Sequence, residues 1–207
     1  MLKSNVGVLV SGGGTNLQAL IDAERTGLLP HAQISLVISS SGKAYALERA
    51  KEVSIKALAI EEAACGSHAA FEERLLGALR EHHIDLVVLA GFLPLLSADF
   101  VRRYPMRILN VHPSLIPSFC GKGYYGLKVH EAALQKGVKL TGATVHFVNE
   151  EIDGGDILLQ KAVEVREGDT PKELQRRVME QAEWVLLPQA VELVASAIGK
   201  EKAECAS

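Results

Sequence analysis

The chain holds only three cysteines in 207 residues, Cys65, Cys120 and Cys205, and no Cys-x-x-Cys pair. They are too few and too scattered for a disulfide framework or a zinc site, and they point to a reducing, cytoplasmic setting. Aromatic residues make up 5%, too little for a stacking platform that holds single strands. An excess of one charge is missing too. With 22 Lys+Arg against 25 Asp+Glu the net charge is −3, so the basic surface of a nucleic-acid binder is absent. No apolar run reaches the roughly 18 residues of a membrane span. The N-terminus enters its first strand-like run almost at once, without the apolar stretch and cleavage site of a signal peptide. Nucleic acid, membrane and metal are therefore not expected as partners.

What is present is an ordinary globular composition, 48% hydrophobic and 23% charged, with a length that favours one domain. Short apolar runs at 6–10, 34–38, 55–60 and 84–90 alternate with amphipathic segments at 16–25, 44–53 and 67–83. Repeated strand-helix-strand units of this kind predict an α/β fold, a Rossmann-like three-layer sandwich around a mostly parallel sheet. After Gly91 the pattern changes. A strand at 107–111, a Gly/Ser/Pro-rich loop at 114–125 and a helix at 126–136 lead to two β-rich segments, 141–149 and 157–165. Their short connection predicts an antiparallel C-terminal part of the sheet. A long helix over 170–197, with a kink near Pro188, and a frayed polar tail at 200–207 complete the chain. The expected organisation is one domain over 1–207. Its first hundred residues form a phosphate- or nucleotide-binding half, and 101–199 carry the chemistry.

Three segments carry that chemistry. Ser11-Gly-Gly-Gly-Thr-Asn-Leu stands where a strand ends and a helix begins. Unpaired N–H groups and the helix dipole favour an anion there, although a tight capped turn is an equal reading. The segment is no Walker A motif and a poor dinucleotide fingerprint. In Asn110-Val-His-Pro-Ser-Leu-Ile-Pro117, Asn110 and His112 lie two apart on a strand and share a face. They stand at the carboxyl end of a parallel strand, where open α/β sheets place their ligands. A cis bond is allowed at Ile116–Pro117. Glu150-Glu-Ile-Asp-Gly-Gly-Asp156 joins the two late strands, and its Asp153 is either a turn residue or a carboxylate reaching toward His112.

Together, Ser11-Gly-x-Gly-Thr-Asn-Leu-Gln-Ala, Val88-Leu-Ala-Gly-Phe, Asn110-x-His-Pro-Ser-Leu-x-Pro, Gly142-Ala-Thr-Val-His-Phe-Val and Ile152-Asp-Gly-Gly-Asp-Ile form an ordered set across residues 5–190. The set resembles the folate-dependent formyltransferases, in their glycinamide ribonucleotide branch. That resemblance implies a formyl transfer from 10-formyltetrahydrofolate, as co-substrate, to the amine of glycinamide ribonucleotide in purine synthesis, without a metal. It implies Asn110, His112 and Asp153 as the catalytic triplet. Asn110 and a charged His112 suit the oxyanion, and Asp153 suits both the charged His112 and proton uptake from the amine. It implies Gly14, Thr15 and Asn16 around the substrate phosphate and Glu183 at the glycinamide part. Phe92, Leu93, Pro94, Leu95, Leu96, His68, Glu150, Glu151 and Ile152 are implied at the folate. His146 stands behind the site, as a core histidine or as a participant.

Two departures from better-known members bear on the folate: His68 and Pro94 stand where arginines are usual. The loop 119–126 is longer than in some members, and it either closes over the substrate, with Lys122 near a phosphate, or is a surface loop. A monomer or homodimer is expected. The sheet begins at Val6 and the last helix is expected to end near Ala197, which disfavours the two-domain branches that hydrolyse formyl folate or act on tRNA. A nucleotide-binding module without turnover would account for the glycine turn but leave Asn110, His112 and Asp153 unexplained. A dehydrogenase is weaker still, because residues 34–41 read Ile-Ser-Leu-Val-Ile-Ser-Ser-Ser, with no acid to hold a ribose.

Overall fold

The computed structural model describes residues 3–205. Seven strands form one sheet: β1 (Ser4–Val10), β2 (Ala32–Ser39), β3 (Lys56–Ala59), β4 (Leu86–Leu89), β5 (Ile108–His112), β6 (Leu140–Phe147) and β7 (Ile157–Glu164). Their order is β3-β2-β1-β4-β5-β6-β7. The first five are parallel, whereas β6 and β7 are antiparallel to their neighbours. The α-helices are α1 (Thr15–Arg25), α2 (Tyr45–Glu52), α3 (His68–Glu81), α4 (Ala98–Arg102), α5 (Leu127–Lys136), α6 (Pro171–Val178) and α7 (Trp184–Cys205).

The parallel strands are continuous apolar runs because both of their faces are covered. Leu86 and Val88 of β4 pack into the layer that holds Leu17, Leu20 and Ile21 of α1 and Leu187 and Val191 of α7. Val87 and Leu89 pack into the opposite layer with Phe71, Leu75 and Leu79 of α3 and Phe100 of α4. Leu17 is fully buried, and truncating such a side chain costs roughly 2–5 kcal/mol. β1 and β4 are neighbours, yet α1 leaves toward one layer and α4 toward the other. The carboxyl ends of these two strands thus flank the crevice where a doubly wound sheet takes its ligands.

The structure departs from the sequence reading in two regions. α4 was not expected. Ser97 caps it by accepting from the Phe100 N–H at 3.2 Å, and five residues are too short a run to show helical periodicity. The helix expected over 170–197 is instead α6, a π-helical turn at Met179–Glu183, and α7. The ladder is interrupted at that turn, while Pro188 lies inside α7. α7 also continues through the segment expected to fray, as far as Cys205; residues 206–207 lie outside the described ones. Two ion pairs hold this end to the body, Lys202 Nζ to Asp85 Oδ1 at 2.7 Å and Arg107 Nη2 to Glu201 Oε2 at 2.9 Å.

Candidate functional site

The glycine turn leaves β1 at the crevice. Gly14 begins α1 in the left-handed region, at φ 71° and ψ 36°, and no side chain caps the helix. A side chain could not stand there: a Cβ on Gly14 would lie 2.6 Å from the Ala46 Cβ and 2.9 Å from its Cα. The Gln18 N–H closes the first helical bond on the Gly14 carbonyl at 2.9 Å. The N–H groups of Thr15 and Asn16 precede it and have no intrahelical acceptor. Asn16 is buried, and its Nδ2 donates to Glu183 Oε2 at 2.7 Å. Its Oδ1 has no partner among the described residues. The π turn places Glu183 opposite α1 in this way, at a kind of irregularity often found at functional sites. Burial pushes the Glu183 carboxyl up to about 7 against the lowering effect of the Asn16 amide.

The strand-end histidine sits at the carboxyl end of β5. Burial leaves His112 5% exposed. Its Nε2 lies 2.9 Å from the Phe119 carbonyl and its Nδ1 3.7 Å from Asp153 Oδ2. Both ring nitrogens therefore face oxygen atoms. Asn110 is paired across the ladder with His146, and Asn110 Nδ2 lies 3.1 Å from His146 Nε2. That same Nε2 is 3.6 Å from Asp153 Oδ1, beyond ordinary hydrogen-bond range. His146 thus lies against the cluster, 2% exposed.

Asp153 reaches this cluster from the β6–β7 connection. The positive φ of that turn, 54°, falls on Asp153 itself, a residue type that tolerates it. The following glycines serve close approach instead, since a Cβ on Gly155 would lie 1.8 Å from the Phe147 carbonyl oxygen. Burial raises the Asp153 carboxyl, but His146, the Gly121 N–H at 2.8 Å and His112 outweigh it and hold the group below the ordinary carboxylate range. The loop after His112 is fixed to β6 and β7 by Thr144 and Gln160. Thr144 Oγ1 donates to the Ser114 carbonyl at 2.7 Å and accepts from the Ile116 N–H at 3.1 Å. Gln160 Nε2 donates to the Ile116 carbonyl at 3.0 Å. The Ile116–Pro117 bond in this loop is cis.

An apolar rim adjoins the cluster. Phe92 stacks on Phe71, with centroids 6.4 Å apart and an interplanar angle of 11°. Leu93, Leu95 and Ile152 are exposed at 67%, 62% and 46%, and Pro94 and Leu96 are half-buried. The Leu93 N–H donates to Ser11 Oγ at 2.9 Å, which couples this rim to the glycine turn. Glu72 fastens its far end, accepting from the Ser97 N–H at 2.6 Å and hydroxyl at 2.5 Å. His68 adjoins Glu62 at 2.9 Å and Glu72 at 3.3 Å, and its pKa is raised chiefly by the Glu62 hydrogen bond. Both of its nitrogens are thereby engaged. Glu150 is held by Arg102 at 2.7 Å. The Glu151 N–H and carbonyl are used within the turn, by Asn149 Oδ1 and the Gly154 N–H.

Sequence reading missed His130 and Arg49. His130 lies on the inner face of α5, fully buried, with no hydrogen-bond partner for either nitrogen among the described residues. Burial and the neighbouring His112 push its pKa down to about 4, so it is neutral near pH 7. The inward spacing of Val129, His130 and Ala133 was the available signal. Arg49 bonds the glycine turn, and nothing in its local sequence marked it. Among the described residues no group of three or more His, Cys, Asp or Glu could hold a metal ion, and no helix is long and apolar enough to cross a membrane.

A family model described as formyl transferase matches residues 4–191. The human trifunctional purine biosynthetic protein adenosine-3 is 44% identical over 196 residues, which is 94% of this chain and 18% of that protein. The chain thus spans about a fifth of the length of its trifunctional relatives. Phosphoribosylglycinamide formyltransferase of Escherichia coli (strain K12) is 40% identical over 177 residues, 86% of this chain and 81% of that one. The crystal structure of glycinamide ribonucleotide transformylase 1 from Symbiobacterium toebii superposes with a TM-score of 0.88 at 42% identity, covering 94% and 89% of the two chains.

Proposed function

The chain belongs to the formyl transferase family, and from that premise we propose that it transfers the formyl group of 10-formyltetrahydrofolate to the amine of N1-(5-phospho-D-ribosyl)glycinamide in IMP synthesis. One observation carries this reading. Asn110, His112 and Asp153, from β5 and a distant turn, meet within hydrogen-bonding or ion-pair range of one another or of His146. They do so at the same end of the sheet as the start of α1, since Asn110 is in register with Leu89 and Leu89 with Leu9, and no side-chain cap closes that helix among the described residues.

In the reaction the amine nitrogen bonds to the formyl carbon, the bond from that carbon to the folate nitrogen breaks, and one proton passes from amine to folate. Negative charge builds on the formyl oxygen meanwhile. Asn110 Nδ2 and a His112 N–H are the donors for that charge, and the Phe119 carbonyl at His112 Nε2 marks a place where an acceptor oxygen fits. One such donor typically contributes about 3–4 kcal/mol. Asp153, kept ionised, favours the charged His112 ring and takes the proton of the amine, directly or through water.

At the other end, the N–H groups of Gly14, Thr15 and Asn16 hold the substrate phosphate. Asn16 Oδ1, buried and without a partner among the described residues, and Glu183 offer acceptors to the glycinamide part. The formyl folate fits the rim made by Phe92, Leu93, Pro94, Leu95, Leu96 and Ile152. Its exposed leucines give a flat ring an apolar seat, with His68, Glu150 and Glu151 at the margin. On this reading residues 1–100 supply the phosphate end and 101–199 most of the chemistry.

The test is to mix the protein with both substrates and follow loss of formyl folate with and without glycinamide ribonucleotide. Loss that requires the acceptor and yields the N-formyl product supports the proposal. Formate release without acceptor makes the chain a hydrolase and overturns it.

A further inference from the structure

The glycine turn is held in an unusual way. A Cβ on Gly12 or Gly13 would meet nothing within 4 Å, so packing does not fix these two residues. Their carbonyls do. The Ala46 N–H of α2 donates to the Gly12 carbonyl at 3.1 Å, and Arg49 Nε, one turn further along α2, donates to the Gly13 carbonyl at 2.8 Å. Arg49 is fixed in turn by Gln18 Oε1, which accepts from its Nη1 at 2.8 Å, and by the Tyr45 ring 5.0 Å below the guanidinium carbon.

In a planar trans peptide the C=O and the following N–H point in opposite directions. With the Gly12 and Gly13 carbonyls turned to α2, the N–H groups of Gly13 and Gly14 are turned away from it. They join the open N–H groups at the start of α1 as one set of aligned donors, the arrangement that makes an anion-binding nest.

We propose that Arg49 is a positioning residue for phosphate: through the Gly13 carbonyl it sets the Gly13–Gly14 peptide so that the Gly14 N–H faces the bound phosphate ester. This rests on the phosphate site of the preceding section. Arg49 acts here through one hydrogen bond and not through its charge, because the carbonyl it holds lies on the side opposite the donors.

The substitutions Arg49→Ala, Arg49→Gln and Arg49→Lys separate these roles. Glutamine Nε2 stands at the same bond count from Cα as arginine Nε, so Gln keeps the reaching N–H and drops the charge. Lysine keeps the charge and places its nitrogen one bond further out. Ribose 5-phosphate is titrated by calorimetry into the whole chain and each variant, and KM is measured for both substrates. Arg49→Ala is expected to weaken ribose 5-phosphate about tenfold, the effect of losing one hydrogen bond to a charged group. It should raise KM for glycinamide ribonucleotide alike and leave KM for formyl folate unchanged. Arg49→Gln should recover most of the loss and Arg49→Lys less. Unchanged affinity in Arg49→Ala, or recovery by Lys and not by Gln, overturns the proposal. Absence of ribose 5-phosphate binding to the parent chain overturns the phosphate site itself.

Discussion

Asn110 and His146 face each other across the antiparallel β5–β6 ladder, with the amide nitrogen of one 3.1 Å from Nε2 of the other. His146 Nδ1 lies 2.9 Å from the Phe147 carbonyl, and a ring hydrogen held there leaves Nε2 to accept from Asn110. With that tautomer Asn110 turns its N–H side toward His146, and a flip of the amide loses the bond.

Asn110→Ala is expected to lower kcat by about 10²–10³, as for loss of one oxyanion donor. His146→Phe keeps the bulk but removes the acceptor, and should lower kcat about tenfold, the worth of one hydrogen bond. If His146 acts through Asn110 alone and not through Asp153, the double variant is no slower than Asn110→Ala. Steady-state kinetics on the four proteins decides it; additive losses would give His146 a separate role.

Asp153→Asn is expected to reduce kcat by about 10²–10⁴, the range of a lost general base. Its folded pKa lies below the ordinary 3.8, so its contribution to stability is present above that value and lost as the pH falls through the folded pKa. Urea unfolding should show the parent's advantage over Asp153→Asn near neutral pH and its disappearance in strong acid. An advantage that persists in acid would assign the difference to packing.

The sheet was legible because buried parallel strands must be apolar on both faces, as 6–10 and 86–90 are. Asn110 and His112 were legible because a period of two fixes their shared face. The π turn at Met179–Glu183 was not, since an inserted residue leaves the helical pattern of α6 and α7 almost unchanged. α4 is too short to show a period. Asp153 could be placed at a turn, but not the assignment of the positive φ to Asp153 and the close approach to Gly155. Arg49 and His130 were hidden for a common reason. Their importance lies in what the fold sets opposite them, the Gly13 carbonyl and the His112 ring, and neither lies nearby in sequence.

Gly14→Ala puts a side chain at φ 71° and its Cβ 2.6 Å from the Ala46 Cβ. A left-handed residue costs roughly 1–3 kcal/mol, and α2 must also give way. Both Tm and ribose 5-phosphate affinity should fall, while the affinity for formyl folate holds. Gly12→Ala, where a Cβ meets nothing within 4 Å, is the control and should change Tm little. Equal effects of the two substitutions would remove the special role assigned to Gly14.

Glu183 is 7% exposed. Burial places its folded pKa at about 7 against an ordinary 4.5. The native chain therefore keeps a proton that the unfolded chain has lost between those values. Its contribution to stability is complete below about pH 4.5, declines as the pH rises toward 7, and is flat above; the shift corresponds to roughly 3 kcal/mol. Glu183→Gln removes this titration while keeping an acceptor for Asn16 Nδ2. Unfolding measured from about pH 5 to 8 should show the variant gaining on the parent as the pH rises and exceeding it at the upper end. Parallel curves would mean that Glu183 is ionised throughout. In the variant, KM for glycinamide ribonucleotide should rise if, as proposed, this acceptor meets the substrate's glycinamide part.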